Sequence, residues 1–342
     1  MDNNMEFQRE SIFLSAFRTF SRVFFGVIAF FLAIALVMVG MQVISSPLEP
    51  QDNTTVALLP DHKGSRTPVS LRAPAILRID ITGVIGDPKG INSQSIESIL
   101  LASREGILAH DRVKAILLYV DTPGGAVTDS DDIYRMLLAY KKMYNVPVFT
   151  YINGLCASGG MYVTSASDKM YSSPVGVIGS VGVRIGPFFN VVGFMQKYGF
   201  EAKTLTQGLY KDFLNPTRPW KDGEDASLQN VMGAEYTRFV DVVTTARTRL
   251  SRDQLVNTYG AQIYDPNKAT EYGYIDVPNA DEYTALLDLL STAQINPEEP
   301  YQYVRLDLKH SWLADAFNGK LTLHFPGEDP AFLRGPAYYY RP

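Results

Sequence analysis

Hydrophobic positions along this chain change their period several times, and each change marks an element. From Val23 to Met41 no charged residue occurs, and the run is apolar on every face. A stretch of that length spans a bilayer as a helix. It exceeds the roughly 7–15 apolar residues of a signal-peptide core, and a buried core helix would show a polar face. A membrane helix over 23–44 is therefore expected, after a polar segment over 1–22. Arg18 and Arg22 precede the run, and the next basic residue beyond it is Lys63. The side richer in Lys and Arg stays in the cytoplasm, so the N-terminus belongs inside and the remainder outside. Ser45 and Ser46 leave a cleaved signal as the alternative.

Residues 45–73 hold Pro47, Pro50, Pro60 and Pro68 without periodicity and read as a linker. A β-branched run, Ala75 to Ile81, then predicts a strand ending at Gly83. Ile96, Ile99, Leu100 and Ile107 have roughly helical spacing, and Ala115 to Val120 predicts a second strand. Thr128 and Asp131 read as an acidic capping box. Ile133, Met136, Leu137, Tyr140, Met143 and Tyr144 then share one helical face, which makes them core residues. Pro147 to Ile152 predicts a third strand. Helices are expected at Val191 to Tyr198, closed by Gly199, and at Asp225 to Leu250. Another begins at Asp265-Pro266 and stops at Gly273, and Glu201 to Thr206 reads as a strand. The main domain thus covers 74–295, with a tail over 296–342 in which no function is legible. Strands alternating with helices, with glycine-rich loops after the strands, specify an α/β fold with its functional loops on one sheet edge.

Composition narrows the chemistry. The chain has 342 residues, 46% hydrophobic and 20% charged, with a net charge of −5 and no basic stripe interleaved with aromatics, which argues against nucleic acid as a partner. One cysteine, Cys156, precludes an intrachain disulfide and a cysteine metal cluster. His62, His110, His310 and His324 are scattered singly, without metal-ligand spacing. Neither a metal nor a cofactor is expected.

The glycine-rich loops carry the candidate chemistry. They are Asp121-Thr122-Pro123-Gly124-Gly125, Gly154 to Gly160, and Gly179-Ser180-Val181-Gly182. Ser158, flanked by small residues and followed by a helical segment whose first N–H groups are free, is placed to act as a nucleophile. Read bare, the same serine serves as a helix N-cap. A hydroxyl needs a base. His110 is nearest in sequence but lies in no catalytic-looking loop, and the GxSxG frame is absent because Cys156 replaces its first glycine. Cys156 itself has no visible base and reads as a small buried residue. A lysine must be desolvated to serve near neutral pH. Lys211, among Leu209, Tyr210, Phe213 and Leu214, is the best placed, with an ion pair to Asp212 as its alternative. Lys141, Lys142 and Lys197 sit on amphipathic helices, while Lys169 and Lys203 read as strand-end surface residues.

These motifs in this order, with Tyr210-Lys211-Asp212, resemble the signal peptide peptidase A family of serine–lysine peptidases. Those enzymes are membrane-anchored relatives of the Clp protease subunit and of crotonase. The resemblance covers about Ala75 to Leu290, including the segment Ala269 to Asp276. It implies a Clp protease/crotonase-like fold of strand-strand-helix units, with Ser158 as nucleophile and Lys211 as general base. Ser180 would orient the lysine, and Gly125 and Gly159 would supply the oxyanion hole. Thr122 and Met161 stand where the family usually has Ser and Tyr. The family's short members also imply a homo-oligomer, an octameric ring with sites between subunits, on a bacterial inner membrane with the catalytic domain outside the cytoplasm. The implied substrates are remnant signal peptides and other hydrophobic peptides. Two rival readings remain: a crotonase-type hydratase, which would need carboxylates such as Asp121, Asp129 or Asp131 at the site, and a catalytically silent membrane scaffold.

Overall fold

A computed structural model describes residues 12–45, 54–88 and 90–308. The chain divides after residue 52 into two compact units. In the first, α1 (Ile12–Ser45) contains a stretch, Ala16–Met38, long and apolar enough to cross a membrane, with none of it buried. The helix is longer than the expected 23–44.

In the second unit, alternation builds a sheet buried on both faces. Its strands are β1 (Thr54–Leu58), β2 (Ala75–Thr82), β3 (Val113–Thr122), β4 (Val148–Ala157), β5 (Lys169–Ser172), β6 (Val177–Gly179), β7 (Ile263–Tyr264) and β8 (Gln302–Leu308). The spatial order is β1-β8-β2-β3-β4-β6-β7, with β5 also paired to β4. The central pairs are parallel, and β1–β8 and β6–β7 close the edges antiparallel. Successive strand residues point to opposite faces. Ile76, Leu117, Phe149, Tyr171 and Tyr303 meet Leu286, Leu289 and Leu290 of α9 (Glu282–Thr292) on one face. Leu77, Ile79, Ile116, Leu118 and Ile152 pack on the other. That second face is covered by α2 (Ser93–Ala102), α3 (Val127–Tyr144), α4 (Gly159–Thr164) and α6 (Ala226–Ala246). The short α5 (Val192–Tyr198), α7 (Arg252–Gln254) and α8 (Pro266–Tyr272) complete the order. Asp265 caps α8 through its side chain, Pro266 occupies its first turn and the left-handed Gly273 ends it, as the sequence predicts. The architecture is α/β, with a mixed sheet covered by helices on both faces.

Five expectations need correction. Residues read as linker contain β1, and residues read as tail contain β8; the rest of the tail, from 309, lies outside the described residues, as do 1–11 and 46–53. Each strand is short and flanked by proline, and each finds its partner only at the far end of the domain. Helix α3 begins on Ala126 without a side-chain cap, so Thr128 falls inside its first turn. Asp131 instead accepts from the Tyr162 hydroxyl at 2.7 Å and pairs with Arg135. Glu201 to Thr206 forms no strand and is exposed, because no described strand lies alongside to complete its hydrogen bonds. Ile107 belongs to a separate 3-10 turn, Gly106–Leu108.

Candidate active site

Three parallel strands end side by side and deliver the three glycine loops to one sheet edge. Register pairs Thr122 with Cys156 and Ala157 with Gly179, so the loops after β3, β4 and β6 are neighbours. Ser158 takes φ 53 and ψ −120, a backbone region that side-chain-bearing residues rarely adopt. Its N–H donates to Gly179 O at 3.0 Å, and its carbonyl accepts from Tyr162 N–H at 3.2 Å. The backbone on both sides thus holds the strained residue in place. Ser158 is half-buried, and its hydroxyl makes no hydrogen bond to a described residue.

Glycine is required where the first two loops meet. A Cβ on Gly124, which has φ +94, would lie 2.6 Å from Gly159 N and 2.8 Å from Ser158 Cβ. One on Gly125 would fall 1.9 Å from Ile85 O, and one on Gly159 would approach Gly125 N at 3.2 Å. Hydrogen bonds Ile85 N–H to Gly124 O, 2.9 Å, and Ala126 N–H to Ile85 O, 2.8 Å, pin the first loop. Gly125 N–H and Gly159 N–H are left without an acceptor among the described residues, beside Ser158. Two unpaired amides next to a hydroxyl are what an oxyanion site needs.

Ser180 stands at the end of β6 with φ 55 and donates its N–H to Gln262 O at 2.7 Å. Lys211 makes no hydrogen bond to Ser180 or Ser158 among the described residues. It lies in an exposed turn between Gly208 and Leu214 and forms no ion pair or side-chain hydrogen bond among the described residues. The apolar setting read around it is open: Leu209 is 91% and Tyr210 67% exposed. Asp212 is engaged by Arg218 at 2.8 Å, which also binds Glu224 at 2.7 Å. Those charge-assisted hydrogen bonds hold both carboxyls below their usual range.

The rival groups have structural duties. His110 precedes the N-terminal end of β3, about 30 Å from the edge that carries Ser158. His62 bonds Tyr301, and His310 and His324 lie outside the described residues. Burial pushes the Cys156 thiol up to about 12. Asp121 accepts from Leu155 N–H at 2.9 Å, and Asp129 from Ser93 N–H at 2.7 Å, so neither carboxylate is poised for a hydratase. No cluster of three metal-ligating side chains occurs among the described residues. Sequence reasoning treated Thr122 only as a family departure, yet its hydroxyl is fully buried and doubly bonded. A Thr two residues before a turn glycine is the available signal.

Comparison with known proteins follows this geometry. Residues 141–292 match the model of peptidase family S49, and residues 90–175 match that of Clp protease. A protein of Enterococcus faecium assigned as a signal peptide peptidase SppA is 31% identical over 59% of this chain and 59% of its own length. A protein of Methanocaldococcus jannaschii assigned as a protease is 33% identical over 56% of this chain and 60% of its own. The chain therefore spans about six tenths of the length of these two curated relatives. Among solved structures, the 1510-N membrane-bound stomatin-specific protease with a substrate peptide aligns at 16% identity and TM-score 0.43, over 73% of this chain and 98% of that one.

Proposed function

We propose, from the premise that residues 141–292 form a peptidase family S49 domain, that this protein is a membrane-anchored serine endopeptidase with a Ser158/Lys211 dyad. The observation that carries the reading is the convergence of two unpaired amides, Gly125 and Gly159, on a strained serine. In the reaction, Ser158 Oγ attacks the scissile carbonyl while its proton passes to the Lys211 amine, oriented by Ser180. The carbonyl oxygen becomes an oxyanion between the two amides. Collapse expels the amine leaving group, which takes the proton from the lysine, and leaves an acyl-enzyme. Water, deprotonated by the same lysine, then releases the acid and restores Ser158.

The base comes from a neighbouring copy. Lys211 rides on a segment, 184–221, with six basic and two acidic residues in a chain of net charge −5. That segment complements the acidic remainder of a second copy, and its exposed Phe189, Phe194, Phe200 and Leu205 supply apolar contact area. An octameric ring, anchored by α1 in a bacterial inner membrane with the domain outside the cytoplasm, fits this division. Hydrophobic peptides, including remnant signal peptides, are the substrates, and no cofactor enters the chemistry.

Complementation tests the dyad and its division. Ser158→Ala and Lys211→Ala are each inactive alone. Co-assembled one to one, they should recover hydrolysis at about one quarter of sites, because each subunit lends what its neighbour lacks. Mixed assemblies of wild-type size without any recovery would put both groups in one copy or abandon the lysine.

A further inference from the structure

The hydroxyl of Thr122 is completely buried at the end of β3, and it works in both directions. It donates to Gly83 O at 2.6 Å and accepts from Gly124 N–H at 3.0 Å. Gly83 N–H in turn donates to Asp121 O at 3.0 Å, so the end of β2 and the turn after β3 are tied together from both sides. With Gly124 O and Ala126 N–H also engaged, the turn's amide left facing the site is that of Gly125.

The methyl of the same side chain meets the other loop. A Cβ on Gly160 would lie 2.7 Å from Thr122 Cγ2 and 3.7 Å from Cys156 Sγ. Gly160 has an ordinary helical backbone, so close approach to Thr122, and not a left-handed φ, is what demands glycine there. One residue therefore touches both amide-bearing loops, its hydroxyl on the turn of Gly125 and its methyl against the turn of Gly159 and Gly160.

We infer that Thr122 is a positioning residue that sets the separation of the two oxyanion amides, hydroxyl and methyl each holding one loop. The inference rests on the peptidase reading above. A donor displaced by a fraction of an ångström stabilises the developing charge less, while ground-state peptide binding, which uses other contacts, is unchanged. The two roles separate chemically: valine keeps the branched shape and loses the hydroxyl, and serine keeps the hydroxyl and loses the methyl.

The experiment uses the full-length protein in detergent and a fluorogenic apolar peptide, with Ser158→Ala as control. Thr122→Val should lower kcat by about 10²-fold with KM within about twofold of wild type. Affinity for a peptide aldehyde, whose hemiacetal oxygen occupies the oxyanion position, should fall in parallel, while affinity for an uncleavable peptide stays constant. Thr122→Ser should restore most of kcat, short of wild type by about threefold because its loop loses the methyl contact. Wild-type kcat and aldehyde affinity in Thr122→Val would overturn the inference alone. So would equal weakening of aldehyde and uncleavable peptide, or a loss that Thr122→Ser does not rescue, since each marks a merely structural role. An inactive wild type, or an active Ser158→Ala, would overturn the peptidase reading and this inference with it.

Discussion

The loops over 121–182 and the segment over 184–221 are built on opposite principles. The first grow from the ends of core strands, and the residues just behind them, Val120, Thr122, Cys156 and Ile178, are completely buried. The second has one short helix, α5, with no buried residue, and Leu205 is 83% exposed. It is organised by polar ties of its own: Arg218 to Asp212 and Glu224, Asn190 to the Arg218 carbonyl, and Val191 N–H to Pro216 O. A nucleophile and its oxyanion amides need positions fixed to a fraction of an ångström, which a packed sheet edge provides. A base that arrives from a neighbour can sit on a segment that acquires its packing on assembly. On the proposed division of the site, half is finished by folding and half by association.

The sharpest contrast is catalytic. Ser158→Ala should lower peptide hydrolysis by about 10⁴-fold or more in an assembly of unchanged size. Lys211→Ala should have an effect nearly as large while the thermal midpoint of the single chain stays within about 1 °C of wild type, because an exposed side chain with no ion pair or hydrogen bond among the described residues contributes little to fold stability. A large drop in midpoint for Lys211→Ala would break the comparison, since this segment, the arm, would then be part of the core.

The next effect is on stability. Gly125→Ala forces a Cβ onto Ile85 O and should cost about 3 kcal/mol or more, read as a lowered denaturation midpoint. Gly208→Ala, on the arm, meets nothing within 4 Å and carries only the strain of φ +98, so about 1 kcal/mol is expected. Ser158→Gly goes the other way: relieving a φ of 53 should raise stability by about 1 kcal/mol while hydrolysis is lost. Equal costs at 125 and 208 would erase the distinction between the two regions.

The smallest effect is acid sensitivity. Asp212 and Glu224 have folded pKa values held below the ordinary 3.8 and 4.5 by Arg218. Depressed carboxyls stabilise the arm fully above those values and lose their effect as pH falls through the folded ones. Pepsin should therefore begin to cut within 200–214 as pH drops below about 4, before the sheet opens. Arg218→Ala should bring the same cuts, with a neutral protease, at pH 7. Cleavage that starts in β3 or β4 would count against it.

What was legible in the sequence follows the same divide. Strands β2, β3 and β4 are legible as apolar strand runs, α3 and α6 by period, and α8 by its Asp-Pro start and glycine stop, because local pattern and tertiary burial agree there. The glycine loops were legible because their spacing is the site's own geometry. Burial around Lys211 was not: Leu209, Tyr210 and Phe213 are apolar yet exposed, and no local pattern says which copy of the chain will cover a residue. Nor could β1 and β8 be read, since each is a strand only through a partner about 250 residues away. The double bonding of Thr122 escaped because a hydroxyl's second partner, Gly83 O, lies 39 positions earlier.

That remote pairing of β1 with β8 has a practical corollary. Thr54 and Leu308 are register partners, so the first and last described residues of the second unit stand side by side. A few glycines could join them, and the chain could be reopened in an exposed loop such as 221–223. Such a circular permutant would carry the same sheet, glycine loops and arm, with its ends freed for fusion to any other protein.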